Sequence, residues 1–143
     1  MSQTKPKIQN AIRLTKFFVN SLEFHTKKMN TEEDVELHID LKVSTGFIKN
    51  EDRKYIINFD LNIISQDENL QMKVRAGGIF EAKDIMTEVF KKSDFVRVNS
   101  PAIAFPFLRS YINTITTNSG ISPIILPSFN FAKKDTKTNK STD

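Results

Sequence analysis

Few side chains in this sequence are suited to catalysis or metal binding, and they lie far apart. The chain has no cysteine, which excludes thiolate nucleophiles, disulfides and cysteine-based metal sites. Only two histidines occur, His25 and His38. First-row metal sites need several converging ligands, and His38 occupies a polar position of a strand-like segment, so we interpret it as a surface residue. The sequence therefore predicts no metal and no cofactor.

Two short motifs resemble catalytic features but lack their partners. The acidic run at residues 32–34 precedes a strand and is typical of a solvated loop, whereas paired catalytic carboxylates need a pocket that separates their pKa values. Gly77-Gly78 follows a strand without the further glycines, lysine or serine of a phosphate-binding loop. The pair predicts instead a bulge or a close backbone approach where the strand leaves the sheet. With no nucleophile elbow or triad in sight, we expect a protein that is not an enzyme.

Composition and charge are those of one ordinary globular domain. The chain has 143 residues, of which 38% are hydrophobic and 27% charged. The net charge of +4 comes from residues 1–7 and 132–143, which are predicted to be flexible, while the body between them sums to zero. Without a basic face, no nucleic-acid binding is predicted. No segment resembles a membrane span or a secretory signal, so we expect a cytoplasmic protein without membrane insertion.

Aromatic content is unusual, with twelve phenylalanines against two tyrosines and no tryptophan. Phenylalanine brings a large apolar ring with no polar group. Such rings suit a core, a subunit interface or a groove for apolar peptides. Composition leaves all three open.

Four segments carry the pattern of β-strands. Apolar and polar residues alternate from Val35 to Val43, from Tyr55 to Ile64 and from Leu70 to Ala76. The segment from Ile8 to Thr26 is predicted to be a long strand that bulges, because Phe17-Phe18-Val19 breaks its alternation. Short polar connections favour an antiparallel meander of the four strands.

The C-terminal third is predicted to supply the cover for this sheet. Residues 84–92 indicate a short helix, and an apolar stripe farther on indicates a long one. The stripe comprises Ile103, Phe107, Leu108, Tyr111, Ile112 and Ile115. Because proline is tolerated in a first turn, the long helix is predicted to begin near Pro106, after a bend at 101–105, and to end at Gly120. Residues 121–131 contain two prolines and are predicted to be extended, packing on an apolar surface.

Three motifs in order resemble the SecB family of export chaperones. They are the V-R-A-G-G-I-F run at 74–80, the A-F-P-F-L-R run at 104–109, and the path from Gly120 through two prolines to the Asn130-Phe131 pair. The resemblance implies a single α+β domain over residues 1–143. Its fold would be a four-stranded antiparallel sheet with a short and a long C-terminal helix packed on one side.

The family resemblance also implies a binding surface and an assembly. Family members form a homotetramer, a dimer of dimers, with an apolar groove for unfolded or precursor polypeptides. Leu70 and Phe107 occupy positions that line this groove, and Phe131 lies near its end. For each of the three, a place in the core or at the tetramer interface is an alternative, and for Phe107 it is an equal one. The strand through which family dimers associate maps onto Met72, Val74 and Ala76.

One departure from the family concerns the SecA motor. Members that deliver clients to SecA use acidic residues on the first and fourth strands, and the equivalent positions here are Ser21, His25 and Lys73. A basic motor tail is therefore expected to be attracted weakly. The chain resembles a divergent or solitary SecB-like member.

The leading functional hypothesis is an ATP-independent chaperone, a holdase that keeps polypeptides unfolded for export or for one dedicated client. One alternative is a toxin–antitoxin-associated SecB-like chaperone that does not couple to SecA. Another is a non-catalytic scaffold that kept the fold and lost the groove.

Overall fold

The computed structural model describes residues 11–28 and 35–133. The strands are β1 (Ile12–Thr26), β2 (Leu37–Phe47), β3 (Lys54–Ser65) and β4 (Leu70–Ala82). Helix α1 (Glu88–Lys91), a π-helical turn (Phe95–Asn99) and helix α2 (Ser100–Asn118) follow. The acidic run at 32–34 and most of the predicted flexible ends lie outside the described residues.

The four strands form one antiparallel sheet, as predicted, in the order β1-β4-β3-β2. Strands β2 to β4 are a meander, but the prediction was wrong for β1, which lies beside β4 at the far edge. At the end of β1, the backbone N–H of Lys27 donates to the carbonyl of Asn69. The Asn69 side chain binds the backbone of Lys28 through two hydrogen bonds. Its Oδ1 accepts from the N–H of Lys28, and its Nδ2 donates to the carbonyl of Lys28.

Two shifts of register in β1 bring all of its apolar residues except Phe18 to one face of the sheet. Its register against β4 shifts between Leu14 and Lys16 and again between Val19 and Ser21. A bulge inserts one extra residue and so resets the alternation of side chains. As a result, the residues of β1 that lie on the core face opposite positions 72–82 of β4 are apolar: Ile12, Leu14, Phe17, Val19, Leu22 and Phe24. The predicted bulging of this strand is confirmed.

The two glycines of β4 allow close approach on opposite faces of the sheet. At Gly77 a β-carbon would lie 2.5 Å from the carbonyl oxygen of Ile57 and 2.7 Å from the ring of Phe18. At Gly78 it would lie 2.7 Å from Leu14 and 3.4 Å from the β-carbon of Ala104 in α2. The predicted close approach is confirmed, although β4 continues in the sheet to Ala82 and the bulges belong to β1.

One face of the sheet forms the core, and the other faces solvent in the described part of the chain. Helix α2 contacts β1, β4 and β3 on the core face. Residues 121–131 contribute three more buried side chains to the same cluster. The fully buried residues of the central strands alternate with polar ones and include Ile57, Phe59, Leu61, Ile63, Met72 and Val74. This burial of apolar area is the main stabilising contribution to the fold.

Helix α2 begins earlier than the sequence predicted. It starts at Ser100, with Pro101 in the first turn and Pro106 inside the helix. Proline removes the hydrogen bond to the carbonyl four residues earlier, here that of Ala102. Ala102 and Pro106 both lie on the exposed side, where water can satisfy that carbonyl. The predicted end is confirmed, because Gly120 follows the helix with a φ of 82°.

A buried hydrogen-bond chain joins the start of α2 to β3. The Ser100 hydroxyl donates to the carbonyl of Phe95 over 2.8 Å, so the Tyr55 hydroxyl donates to Ser100 over 2.7 Å. Burial raises the pKa of Tyr55 to about 12, and the bond with Ser100 offsets only part of that rise. The π-helical turn is thereby fixed against the sheet.

Replacing Gly77 by alanine is expected to lower the free energy of unfolding by about 1–3 kcal/mol, because the methyl group meets backbone that cannot move away. Gly46→Ala is the matched control, since a β-carbon there would meet only Asn58, at 3.7 Å. Urea unfolding measures both. Equal effects of the two variants would contradict the close approach.

Tyr55 predicts a pH dependence of stability. Folding favours the neutral phenol, so this contribution is present below pH 10, the usual pKa, and is lost as the pH rises towards about 12. Urea unfolding across this alkaline range should show a steeper fall for the wild type than for Tyr55→Phe. Parallel profiles for the two proteins would show that Tyr55 is not buried as described.

Candidate functional site

The cover of the core face is incomplete along β1. Phe107 of α2 is 50% exposed, and its ring stacks on that of Phe17 with centroids 5.9 Å apart. Leu22 lies farther along the same face of β1 and is 37% exposed. We call these three residues the β1 strip. Apolar side chains exposed together at the border of two elements are a feature of interaction sites.

Residues 121–131 run beside α2 in an extended conformation, as predicted, and we call this segment the strap. Its Ile124 and Leu126 side chains are buried, whereas Ile125 between them is 65% exposed. The guanidinium of Arg109 donates to the carbonyl of Leu126 from Nε at 3.0 Å and from Nη2 at 2.6 Å. The backbone N–H of Ile124 donates to the Thr116 hydroxyl at 2.9 Å.

An aromatic cluster anchors the end of the strap. Phe105 of α2 meets Phe129, Phe131 and Phe59 edge to face, with ring centroids 5.2, 5.8 and 6.4 Å apart. Edge-to-face pairs of this kind add to the stabilisation from burial alone. Arg109 lies over the outer side of the Phe105 ring, 5.7 Å from its centroid. The strap is therefore held by apolar contacts and by Arg109 together.

The three predicted groove residues lie in different surroundings. Phe107 belongs to the exposed β1 strip, whereas Phe131 is buried in the aromatic cluster of the strap. Leu70 is buried at the start of β4, opposite Thr26 at the end of β1. Their assignment to one client groove stays a prediction.

The predicted interface residues are enclosed within one protomer. Met72, Val74 and Ala76 are buried on the core face, and β4 is a central strand with neighbours on both sides. The intervening residues of β4, Lys73 and Arg75, are exposed on the opposite face. The role of Met72, Val74 and Ala76 in assembly stays a prediction.

Ser21, His25 and Lys73, which stand where the family resemblance implies acidic residues, all lie on the polar face of the sheet. Ser21 pairs with Arg75, and His25 pairs with Gln71. Glu23 lies between them in β1 and pairs with Lys73. On the other side of β4, Asp60 of β3 pairs with Arg75, so the patch contains two carboxylates beside two cationic side chains. Glu23 and Arg75 could not be assigned to this patch from the sequence alone, because the pairing of β1 with β4 here depends on the second bulge of β1.

Arg109 and Thr116 were also missed as site residues by the sequence analysis. The sequence indicated Arg109 only as part of the A-F-P-F-L-R motif, and it did not single out Thr116. Thr116 follows the buried Ile112 by four residues and therefore lies on the same buried side of the helix. A buried hydroxyl needs hydrogen-bond partners, and this need indicates a polar contact at Thr116. Here the hydroxyl donates to the carbonyl of Ile112 at 2.8 Å and accepts from the strap.

The described residues contain no group of three or more histidine, aspartate or glutamate side chains close enough to hold a metal ion. Within the same part of the chain, no helix has the length and hydropathy needed to cross a membrane. The candidate binding surfaces are the β1 strip, the polar face of the sheet and the surface of α2 that the strap covers. We call this last surface, around Phe105, Arg109 and Thr116, the trough.

Comparisons with known proteins agree on one family. The family model described as preprotein translocase subunit SecB matches residues 5–137. The protein-export protein SecB of a Neisseria meningitidis strain is 26% identical over 132 residues, covering 87% of this chain and 88% of that one. An uncharacterised protein of Methanocaldococcus jannaschii is 29% identical over 127 residues, covering 85% and 81% of the two chains.

Solved structures show the same fold. The Mycobacterium tuberculosis SecB-like chaperone, solved with a peptide from the HigA1 antitoxin, matches with a TM-score of 0.67 at 9% identity. That match covers 86% of this chain and 98% of the other. At this identity the likeness concerns the fold, whereas the family model matches nearly the whole sequence. The chain belongs to the SecB family of preprotein translocase subunits.

Proposed function

We propose that this protein is a chaperone that holds unfolded polypeptides on exposed apolar surface, without ATP and without catalysis. Membership of the SecB family supports the chaperone role. The observation that carries the holding mechanism is the half-exposed Phe107 ring stacked on Phe17, with Leu22 beyond it. Apolar side chains of this kind bind many sequences, because the gain comes from buried area rather than from specific partners.

The proposed groove extends from the β1 strip towards the strap. Phe107 would contact the client directly, and the buried Leu70 would line the site after local movement. Phe131, buried at the end of the strap, would border the site once the strap moves. The M. tuberculosis neighbour of this fold was solved with a peptide, which supports a polypeptide as the ligand. A scaffold without a groove would leave the pair of Phe107 and Phe17 without a ligand, and the client-binding measurement below separates the two functions.

We further propose a homotetramer built as a dimer of dimers. Because Met72, Val74 and Ala76 are enclosed, they would support an interface from beneath, and its contact surface would come from other residues. The partly exposed β1 strip is one apolar surface that assembly would cover in part.

A dedicated client, such as an antitoxin, is the second candidate to export. The observation that favours it is the polar patch around Ser21, His25 and Lys73, where the cations Lys73 and Arg75 balance the carboxylates of Glu23 and Asp60. A basic SecA tail gains little from such a surface, since association of charged partners depends on complementary potentials. The neighbouring M. tuberculosis chaperone was solved with an antitoxin peptide.

Phe107→Ser is expected to weaken binding of a permanently unfolded protein about 5- to 30-fold, because about 1–2 kcal/mol of apolar contact is lost. Phe47→Ser is the matched control, since Phe47 is a similarly exposed ring, at 42%, on the opposite edge strand. Suppression of aggregation at equimolar ratio without nucleotide, and direct titration, measure the effect. A wild type that suppresses no aggregation would contradict the proposal, as would equal weakening by both substitutions.

Restoring acidity to the polar patch should create binding of a basic peptide. The combined change Ser21→Asp, His25→Glu and Lys73→Glu is expected to bind a lysine-rich peptide that the wild type does not, and salt should weaken that binding. Lys16→Glu, farther along the same face beside Ile79, is the control. Wild-type binding as strong as that of the triple variant would contradict the loss of SecA coupling.

A further inference from the structure

The strap differs from the other elements of the core in how it is held. Within the described part of the chain, residues 121–131 form no backbone-to-backbone hydrogen bond with a strand or with α2. Pro123 and Pro127 have no N–H to donate, which fits an extended segment outside a sheet. The strap can therefore leave its place without breaking the hydrogen-bond ladder of the sheet.

The polar contacts of α2 with the strap are made to its backbone. Arg109 donates to the carbonyl of Leu126, and Thr116 accepts from the N–H of Ile124. Both side chains of α2 are also held by contacts outside the strap. Arg109 lies over the Phe105 ring, and the Thr116 hydroxyl donates to the carbonyl of Ile112. Every polypeptide has these backbone groups, so the same donor and acceptor would hold any extended segment.

The side chains of the strap show what the trough accepts. Ile124 and Leu126 point into the core at alternate positions, while Ile125 points to solvent. After Ser128, which is exposed, the alternation shifts by one residue, and Phe129 and Phe131 pack on Phe105. This is the pattern with which an extended chain buries one side on an apolar surface. The trough suits a segment with aliphatic residues at alternate positions followed by aromatic ones.

We propose that the strap is an internal substitute for a client. The trough beneath it is a binding site for an extended apolar segment of an unfolded polypeptide, Arg109 and Thr116 recognise the backbone of that segment, and the client takes the place of the strap. The proposal rests on the chaperone function proposed above and names the site and the class of segment. It also explains how a site of this apolar character stays covered when no client is present.

Hydrogen exchange of the wild-type protein tests the exchange of strap for client. The probe is a reduced and carboxymethylated protein that cannot refold, added at saturating concentration. Within residues 121–131 the amide of Ile124, which donates to Thr116, is expected to exchange faster in the complex, while the amides of β3 and β4 stay protected. Unchanged or slower exchange of the Ile124 amide in a formed complex would overturn the proposal and leave the chaperone function standing. Absence of any complex would overturn both.

A pair of strap variants tests the competition. Leu126→Ser removes a buried strap side chain, and Ile125→Ser is the matched control on its exposed side. If the strap covers the trough about nine-tenths of the time, loosening it strengthens client binding about tenfold. Leu126→Ser is expected to bind the probe more tightly, and Ile125→Ser to bind like the wild type. Equal or weaker binding by a folded Leu126→Ser protein, judged by circular dichroism, would overturn the proposal.

Discussion

The structure depends on covering one apolar face of a four-stranded sheet with a single helix and one extended segment. The fully buried apolar side chains of the strands point to that face, and the opposite face is mostly polar, with Phe18, Ile56 and Ile79 among its apolar residues. Helix α2 contacts three of the strands, and the strap adds side chains to the same core. This cover ends at β1, where Phe107, Phe17 and Leu22 stay partly exposed. The limited size of the cover is thus the origin of the proposed binding surface.

Irregular features in β1 and β4 make this arrangement possible. Without the two register shifts of β1, Phe17 and Val19 would point to the opposite face, and Lys16 and Asn20 would point towards the core. A β-carbon at position 78 would lie 2.7 Å from the Leu14 side chain, which would have to move, and 3.4 Å from the β-carbon of Ala104 in α2. Gly77 serves the other face, where it makes room for the ring of Phe18. The motif that relates this chain to its family therefore has a packing function rather than a chemical one.

The sequence predicted the regular parts of this fold well. Alternation identified β2, β3 and β4, and the break at Phe17-Phe18-Val19 indicated the bulges of β1. The position of β1 beside β4 was missed, since alternation does not report which strands are neighbours. The start of α2 was also missed, because the exposure of the carbonyl that Pro106 leaves unpaired is a tertiary property. Among the site residues, the contacts of Arg109 and Thr116 depend on the path of the strap, which no local pattern contains.

The central claim is that an unfolded polypeptide binds to the apolar border between β1 and α2. The most direct measurement is a nuclear magnetic resonance map of side-chain signals that change when a permanently unfolded protein is added. The account predicts changes at Phe17, Leu22 and Phe107 and along the strap, with the polar face around Lys73 and Arg75 unaffected. Changes confined to the polar face, with the β1 strip and the strap unperturbed, would contradict it.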